Sequence, residues 1–358
     1  MDNGFNDSFS DGSLNSTDTE SSGYRFGDTF QKVAVLISVI GMAGNLTVCY
    51  VVYRVRALRT MTNAFVVNQA VVDIVASFLI AVNHLIDPTS YYGVGGQFLC
   101  RVWKSRYLLW ACFTASTYSL VAMTFERYFA IVYPLRYIAT FTARKVWGII
   151  GTVWFAAFVI SSYPLFVNDV APGGVCHWIT LSKALSIALP IYVFVTKYLL
   201  PLLFMSSAYI HIALILGREK KITSLLAPVP SSRPTPAATS ISQPSHVGTD
   251  APQSFNASNL QTASLKKARR NVFKTLCLVF FAFVICWTPN QVYFMFYSLD
   301  FFGSFDWKVH EITVVLGYCN SCINPIIYAL KYRSFRSGLR KALHCCNNGV
   351  EDSSLGMA

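Results

Sequence analysis

The sequence predicts an all-α membrane protein: a seven-transmembrane helix bundle followed by a short amphipathic eighth helix. Two observations support this fold class. The chain of 358 residues is 54% hydrophobic and only 13% charged, with a mean hydropathy of +0.44, which is too apolar for a soluble globular protein. Its apolar residues also form seven runs, and each run reaches the length of about 20 residues that a membrane-spanning helix needs.

The seven runs divide the chain into three parts. We predict a tail at residues 1–29, a seven-helix domain at 30–331, and an amphipathic helix with a terminal tail at 332–358. The connection at 218–265 is rich in Pro, Ser, Thr and Ala, so we expect it to be a disordered loop. The predicted crossings are residues 30–53, 63–86, 101–132, 145–167, 186–216, 270–299 and 309–331.

Lysine and arginine are concentrated in the first, third and fifth connections, and the alternate connections are poorer in them. Such segments usually stay in the cytosol. We therefore predict a multi-pass plasma-membrane protein with an extracellular N-terminus and a cytoplasmic C-terminus. The net charge of +12 arises largely from these segments, so we do not predict nucleic-acid binding. In this orientation Asn6 and Asn15 are predicted glycosylation sites.

The segment after the last crossing has an amphipathic pattern. Phe335, Leu339 and Leu343 recur at helical spacing with basic residues between them, which is typical of a helix lying on the inner membrane surface. Cys345 and Cys346 follow directly, and we predict that they are palmitoylated.

Polar residues and prolines are sparse within the crossings, and they fall into recognisable motifs. Glu126-Arg127-Tyr128 ends the third run, where an ionisable group in a membrane is costly and functional by default. The second run contains a single acid, Asp73. The sixth and seventh runs contain helix-kinking prolines in Cys286-Trp287-Thr-Pro289 and Asn324-Pro325-Ile-Ile-Tyr328. Together these motifs resemble the rhodopsin-like (class A) G-protein-coupled receptors over about residues 30–343.

The resemblance implies a receptor that promotes nucleotide exchange on a heterotrimeric G protein, with arrestin, receptor kinases and membrane lipid as further partners. It implies a sodium ion held by Asp73, Ser116, Asn320 and Asn324, with no other cofactor; the alternative is a protonated Asp73 satisfied by neighbouring amides. The activation switch and the G-protein contact carry over to Glu126, Arg127, Tyr128, Tyr209, Phe283, Trp287, Pro289, Pro325 and Tyr328.

Two departures from the family pattern concern the ends of the bundle. The resemblance implies a Cys100–Cys176 disulfide, although Cys100 stands two residues further from Arg127 than is usual, a difference that a frayed helix end can absorb. Arg269 stands at the foot of the sixth crossing, where many relatives have an acid that pairs with the motif arginine. That lock cannot form here, which leaves Glu126 as the partner of Arg127. We therefore predict appreciable agonist-free activity in a second-messenger assay.

The ligand pocket is also inferred from the resemblance. Leu109 stands where amine receptors have an aspartate and Tyr318 where opsins have a lysine, so neither a monoamine nor retinal is expected. Lys197 lies far from either end of the fifth run, which predicts an anionic partner; a backbone carbonyl or water is the alternative. The candidate ligand-binding residues are Arg106, Leu109, Trp110, Lys197, Tyr198, Asn290, Gln291, Phe294 and Tyr318.

Two ligand classes stay open. The acidic N-terminal tail would attract a basic peptide, and the overall character is similar to neuropeptide receptors of the galanin, allatostatin and somatostatin type. A small acid or a lipid that pairs with Lys197 and Arg106 is the alternative. A transporter or channel is less favoured because we find no internal repeat. We find no catalytic or metal-ligand motif, so we do not predict an enzyme.

Overall fold

The computed structural model describes residues 16–86, 91–225, 253–299, 301, 306–332 and 335–342. Seven helices in these ranges are long and apolar enough to cross a membrane, which confirms the predicted number. The largest difference from the prediction is the start of the third crossing, at Gly93 instead of residue 101. The crossings, numbered in chain order, are Gly27–Arg54, Met61–Leu85, Gly93–Val132, Ala143–Val167, Lys183–Arg218, Phe273–Ser298 and Trp307–Lys331.

Five crossings are formed by one main α-helix each. Three shorter segments connect or extend them: a 3-10 turn at Arg56–Leu58 and helices at Pro134–Thr140 and Pro164–Val167. The latter two begin with proline, which the first turn of a helix tolerates because its N–H groups have no partner there. The five main helices are Ser16–Arg54, Met61–Leu85, Ala143–Ile160, Gln253–Ser298 and Trp307–Lys331.

The third crossing is interrupted near its start. An α-helix at Gly93–Phe98 passes into a π-helix at Leu99–Lys104, and the chain resumes as an α-helix at Tyr107–Val132. Between them Arg106 adopts a left-handed backbone conformation with φ 56°, which is uncommon for a residue other than glycine. The wider π turn and this break accommodate the two extra residues between Cys100 and Arg127.

The fifth crossing also contains a π turn. It runs as an α-helix over Lys183–Phe194, a π-helix over Val195–Leu199 and an α-helix over Leu200–Leu225. Lys197 is the central residue of this π turn. Because π turns occur mostly as single-turn bulges and are frequent at functional sites, the position of Lys197 is consistent with a role in binding.

A β-hairpin lies between the fourth and fifth crossings. Strand β1 (Asn168–Ala171) pairs antiparallel with β2 (Val175–Trp178), and Gly173 and Gly174 supply the positive φ angles of the turn. Cys176 in β2 forms the predicted disulfide with Cys100, with a Cα–Cα distance of 5.4 Å. The hairpin marks one end of the bundle, called here the hairpin end; the opposite end is the Arg127 end.

Hydrogen bonds between buried side chains join the crossings. Asn68 connects three of them: its amide donates to Ser119 Oγ at 2.6 Å, and its Oδ1 accepts from Trp154 Nε1 at 3.0 Å. Asn45 Nδ2 donates to the carbonyl of Ser321 at 2.8 Å, which joins the first crossing to the seventh. Large apolar side chains such as Phe155 are instead exposed on the outside of the bundle, as expected for surfaces that face lipid.

In the connection predicted at residues 218–265, the described helices extend beyond the predicted crossings. Helices continue to Leu225 and begin again at Gln253, so only 226–252 of the predicted 218–265 loop lies outside the described residues. The added turns contain the good helix formers Lys, Glu, Ala and Leu. A short C-terminal helix is confirmed at 335–342, with Phe335 buried. The other predicted features of the two tails lie outside the described residues: Asn6, Asn15, Leu343, Cys345 and Cys346.

Candidate functional site

A cavity of about 420 Å³ lies between the β-hairpin and the helices at the hairpin end. The disulfide joins Cys100, near the start of the third crossing, to Cys176 in β2, so this wall of the cavity is covalently anchored. Among the described residues that line it there are two lysines and no aspartate or glutamate. They are Lys104, Ser105, Trp110, Tyr163, Pro164, Asn168, Cys176, His177, Trp178, Val193, Lys197, Asn290, Gln291, Phe294 and His310.

Lys197 is the most deeply placed charge in this cavity. The residue is only 9% exposed, and its Nζ has no hydrogen-bond acceptor among the described residues. The ammonium lies 5.1 Å from the ring centre of Tyr163 and 6.0 Å from that of Trp110. Such rings attract a cation by about 0.5–2 kcal/mol, which offsets only part of the cost of burying an unpaired charge.

Six of the nine predicted ligand residues line cavity space. Trp110, Lys197, Asn290, Gln291 and Phe294 line the large cavity, and Tyr198 lines a smaller, deeper one that shares Trp110, Lys197 and Gln291 with it.

The other three predicted ligand residues line neither cavity. Leu109 and Tyr318 are each 1% exposed and belong to the packed core. The guanidinium of Arg106 lies 3.5 Å from the hydroxyl of Tyr318, so this side chain extends toward the seventh crossing. Their helix positions matched the family pocket, but the break at Arg106 and close helix packing take them out of the cavity.

The deeper cavity connects the ligand region to the centre of the bundle through aromatic side chains. Trp287 lines it and contacts Phe113 edge to face, with ring centres 4.9 Å apart. Gly317 allows the seventh crossing to approach the indole, because a Cβ at this glycine would lie 3.2 Å from Trp287. Pro289 follows within the same helix. A group entering the cavity can therefore reach Trp287 near a proline kink.

Asp73 is the centre of a buried polar cluster in mid-bundle. Its carboxylate is 0% exposed and accepts hydrogen bonds from Ser116 Oγ at 3.2 Å and Asn324 Nδ2 at 2.9 Å. Gln69 Nε2 lies 3.2 and 3.3 Å from the two carboxylate oxygens. The fourth predicted sodium ligand, Asn320, is buried, but within the described part of the chain it does not donate to Asp73. The structure therefore brings three of the four predicted sodium ligands together: Asp73, Ser116 and Asn324. It also places Gln69, which was not predicted, in the same cluster.

Glu126 and Arg127 form a charged pair at the Arg127 end. Arg127 Nε lies 2.6 Å from Glu126 Oε2, and the carboxylate is 1% exposed. Its Oε1 accepts hydrogen bonds from Thr62 at 2.8 Å and from Tyr137 at 2.5 Å. Glu126 is thus the partner of Arg127, as predicted from the sequence. The pair faces a cavity to which the sixth crossing contributes Thr275 and Leu276, neither of which is an acid.

The remaining predicted switch residues are distributed around this region. Tyr209 and Thr124 share a hydrogen bond of 3.0 Å between their hydroxyls, and Tyr128 lies 3.0 Å from His211 Nδ1. Tyr328 is 2% exposed and borders the cavity beside Arg127. Phe283 and Pro325 are buried residues of the sixth and seventh crossings. The side chain of Arg269 lies outside the described residues.

Sequence reasoning missed three residues that bind the buried carboxylates. Gln69 stands four residues before Asp73 in the same helix, and this spacing alone indicates a shared face. Thr62 and Tyr137 bind Glu126 from the second crossing and from the short helix at Pro134–Thr140. These two contacts depend on how separate helices are aligned, which no spacing in the sequence reveals.

Comparison with known proteins agrees with this architecture. A family model described as "7 transmembrane receptor (rhodopsin family)" matches residues 44–328. The probable G-protein coupled receptor No18 of Amphibalanus amphitrite is 28% identical over 352 residues, covering 89% of this chain and 91% of the relative. The octopamine receptor beta-2R of Drosophila melanogaster is 30% identical over 335 residues, covering 88% of this chain and 61% of the relative.

A third relative is the KiSS-1 receptor of Homo sapiens, which is 25% identical over 320 residues and covers 86% of this chain and 73% of the relative. The family match spans more than half of the chain, including all three clusters described above. Its members are receptors and not enzymes. The chain therefore belongs to the rhodopsin family of seven-transmembrane, G-protein-coupled receptors.

Proposed function

We propose that this receptor lies in the plasma membrane with its hairpin end outside the cell and its Arg127 end in the cytosol. The positive-inside pattern supports this orientation, because Arg56 and Arg59 lie in the connection at the Arg127 end. In this orientation the large cavity receives an extracellular ligand, and a heterotrimeric G protein binds beside Arg127.

The ligand that fits this cavity best carries an acidic group. The observation on which this depends is the buried ammonium of Lys197, which has no acceptor among the described residues and lies 5.1 and 6.0 Å from two aromatic ring centres. A carboxylate or phosphate entering the cavity would satisfy the three ammonium donors. Charge-assisted bonds of this kind are about twice as strong as neutral ones.

A peptide is the ligand class that we propose, with the acidic group on its inserted segment. Among the described residues the sheet consists of two strands, and β2 contributes Cys176, His177 and Trp178 to the cavity wall. A strand of this kind can pair with an extended peptide through its free edge. The basic peptide favoured by the acidic tail would meet two lysines and no acid among the described lining residues, so we assign the acid to the inserted end.

A monoamine is not supported as ligand, although several relatives are named octopamine, histamine or adrenergic receptors. The position at which amine receptors have their aspartate is Leu109, which is buried in the core. The described cavity lining therefore offers no carboxylate for a free amine.

Activation would shift an equilibrium that the ligand and the G protein both influence. We propose that the inactive state keeps the Glu126–Arg127 pair and its bonds to Thr62 and Tyr137. Ligand contact near Trp287 would favour outward movement of the sixth helix about Pro289 and free Arg127 for the G protein. A ligand acts only through its differential affinity for the two states, so ligand and G protein strengthen each other's binding.

The test is a screen in cells that express the receptor, with dissociation of the G-protein subunits as the measured signal. Two libraries are applied: peptides with acidic residues or a free C-terminal carboxylate, and small organic acids and phosphates. Lys197→Gln should abolish the response to the active compound, whereas Lys183→Gln should leave it intact because Lys183 is exposed on the same crossing.

The outcomes separate the parts of the proposal. A peptide whose activity disappears on amidation of its carboxylate supports both the peptide and the acid. Activity of a small acid alone would replace the peptide with the second ligand class. An agonist that activates Lys197→Gln and the unmodified receptor equally would overturn the role of Lys197.

A further inference from the structure

Gln69 holds the buried carboxylate of Asp73 from the side that faces Ser116. Its Nε2 lies 3.3 Å from Oδ1 and 3.2 Å from Oδ2 of Asp73, and 2.5 Å from Ser116 Oγ. One amide nitrogen thus bridges all three oxygens. No lysine or arginine makes an ion pair with Asp73 among the described residues, so amides and a hydroxyl carry its stabilisation.

The hydrogen bonds to Asp73 leave little capacity for another ligand. A carboxylate offers about four lone-pair sites. Ser116 and Gln69 contact Oδ1, while Asn324 and Gln69 contact Oδ2. The NH₂ group of Gln69 has two hydrogens, and one of them is directed at Ser116 Oγ, so the other is shared between the two carboxylate oxygens. Asp73 therefore accepts three N–H or O–H groups from the protein, and each of its oxygens contacts two of these groups.

The orientation of the Gln69 amide follows from its neighbours. Ser116 Oγ donates its single hydrogen to Asp73, so toward Gln69 it can only accept. The carboxylate oxygens are also acceptors. Only the NH₂ group of Gln69 can donate toward these three acceptors, and its Oε1 consequently points away and has no partner among the described residues. The opposite orientation would direct a fourth oxygen at three acceptors.

This arrangement does not fit the sodium ion that the family resemblance implies. Hard cations in proteins are bound by oxygen atoms, and the space common to Asp73 and Ser116 is occupied by an N–H donor. We propose that Gln69 is a built-in substitute for the cation, and that it makes the polar core of this receptor insensitive to sodium. Gln69 therefore determines whether this polar core can bind a cation.

The proposal predicts that removing the amide creates a sodium site. In Gln69→Leu, Asp73 loses the bridging donor and Ser116 regains a free lone pair, so a cation can bind both oxygens. Any ligand that binds only the folded state raises the unfolding temperature. The unfolding temperature of purified receptor is therefore compared in sodium chloride and in choline chloride of equal ionic strength, because choline is too large for the site.

The unmodified receptor should show the same unfolding temperature in both salts, and Gln69→Leu should unfold at a higher temperature in sodium. Adding Asp73→Asn to Gln69→Leu should remove the sodium effect. Each variant is compared with itself, so a general loss of stability does not affect the result, and Gln69→Ala replaces the leucine variant if that fails to fold. Stabilisation of the unmodified receptor by sodium would overturn the proposal, as would equal temperatures in both salts for every Gln69 variant.

Discussion

The hydroxyl of Tyr137 lies 2.5 Å from Oε1 of Glu126, which joins the short helix after the third crossing to the charged pair at its end. Burial, and then the hydrogen bond to Glu126, raise the pKa of Tyr137 above its ordinary value of 10.0. The phenol therefore stays protonated at neutral pH and remains a donor. Because the pKa of Tyr137 is higher in the folded than in the unfolded state, its hydrogen bond contributes fully to folding stability below pH 10.0. This contribution to stability declines only above that pH.

Tyr137→Phe should increase agonist-free nucleotide exchange on the G protein. The change removes one bond to a charged acceptor, which is typically worth about 1.5–3 kcal/mol, and so weakens the resting arrangement of Glu126. We expect a rise of about tenfold if most of that energy belongs to the resting state. Tyr53→Phe is the matched control, because Tyr53 is exposed near the same end of the bundle. An unchanged exchange rate would show that the Tyr137 bond persists in the active state.

Lys197→Met should raise the unfolding temperature of the ligand-free receptor. Burying a charge costs free energy unless a partner satisfies it, and Lys197 has no acceptor among the described residues to lose. An apolar side chain of similar size avoids this cost. Thermal unfolding of both forms measures the effect, with Lys183→Met as the control. A lower unfolding temperature would indicate that a carbonyl or water already satisfies Lys197, the alternative left open by the sequence.

Gly96→Ala should destabilise the hairpin end, whereas Gly95→Ala should not. A Cβ at Gly96 would lie 2.5 Å from the carbonyl carbon of Tyr91, and the backbone there cannot move aside easily. Overpacking of this kind typically costs about 1–3 kcal/mol. At Gly95 a Cβ would meet nothing within 4 Å. The two unfolding temperatures decide the matter, and equal values would mean that Tyr91 shifts freely.

Cys176→Ser should lower the stability of the receptor and weaken its response to agonist. Loss of a native disulfide costs about 2–5 kcal/mol, and here it also releases β2 from the third crossing. Cys100→Ser and the double variant should match the single change, because each removes the same bond. A double variant that is much less stable than either single one would indicate that the two residues contribute separately.

The number of crossings, the disulfide and the Glu126–Arg127 pair could all be predicted from the sequence. The crossings and the charged pair depend on local information, namely long apolar runs and neighbouring charges. The disulfide joins residues 76 positions apart in the chain, and its prediction came from the family resemblance. The π turns at Leu99–Lys104 and Val195–Leu199 could not be predicted, since the same residues would also form regular α-helix. The hairpin was not predicted either, because its strands are only four residues long.

Contacts between side chains of different helices also could not be predicted from the sequence. Thr62 reaches Glu126 across 64 residues of chain, and the geometry depends on the rotation of two helices about their axes. For the same reason Arg106 and Tyr318 were assigned to the ligand cavity, although they pair with each other outside it. The contact of Gln69 with Asp73 could have been predicted, because residues four positions apart lie on the same face of a helix.

The π turn at Val195–Leu199 has a consequence for any alignment of this receptor with its relatives. One residue of an α-helix corresponds to about 100° of rotation, so a relative without the extra residue presents a different side chain where Lys197 stands. Alignments that run through this turn without a gap would compare residues on different faces of the helix. Inferences about the ligand from relatives should therefore be drawn separately for the segments before and after the turn.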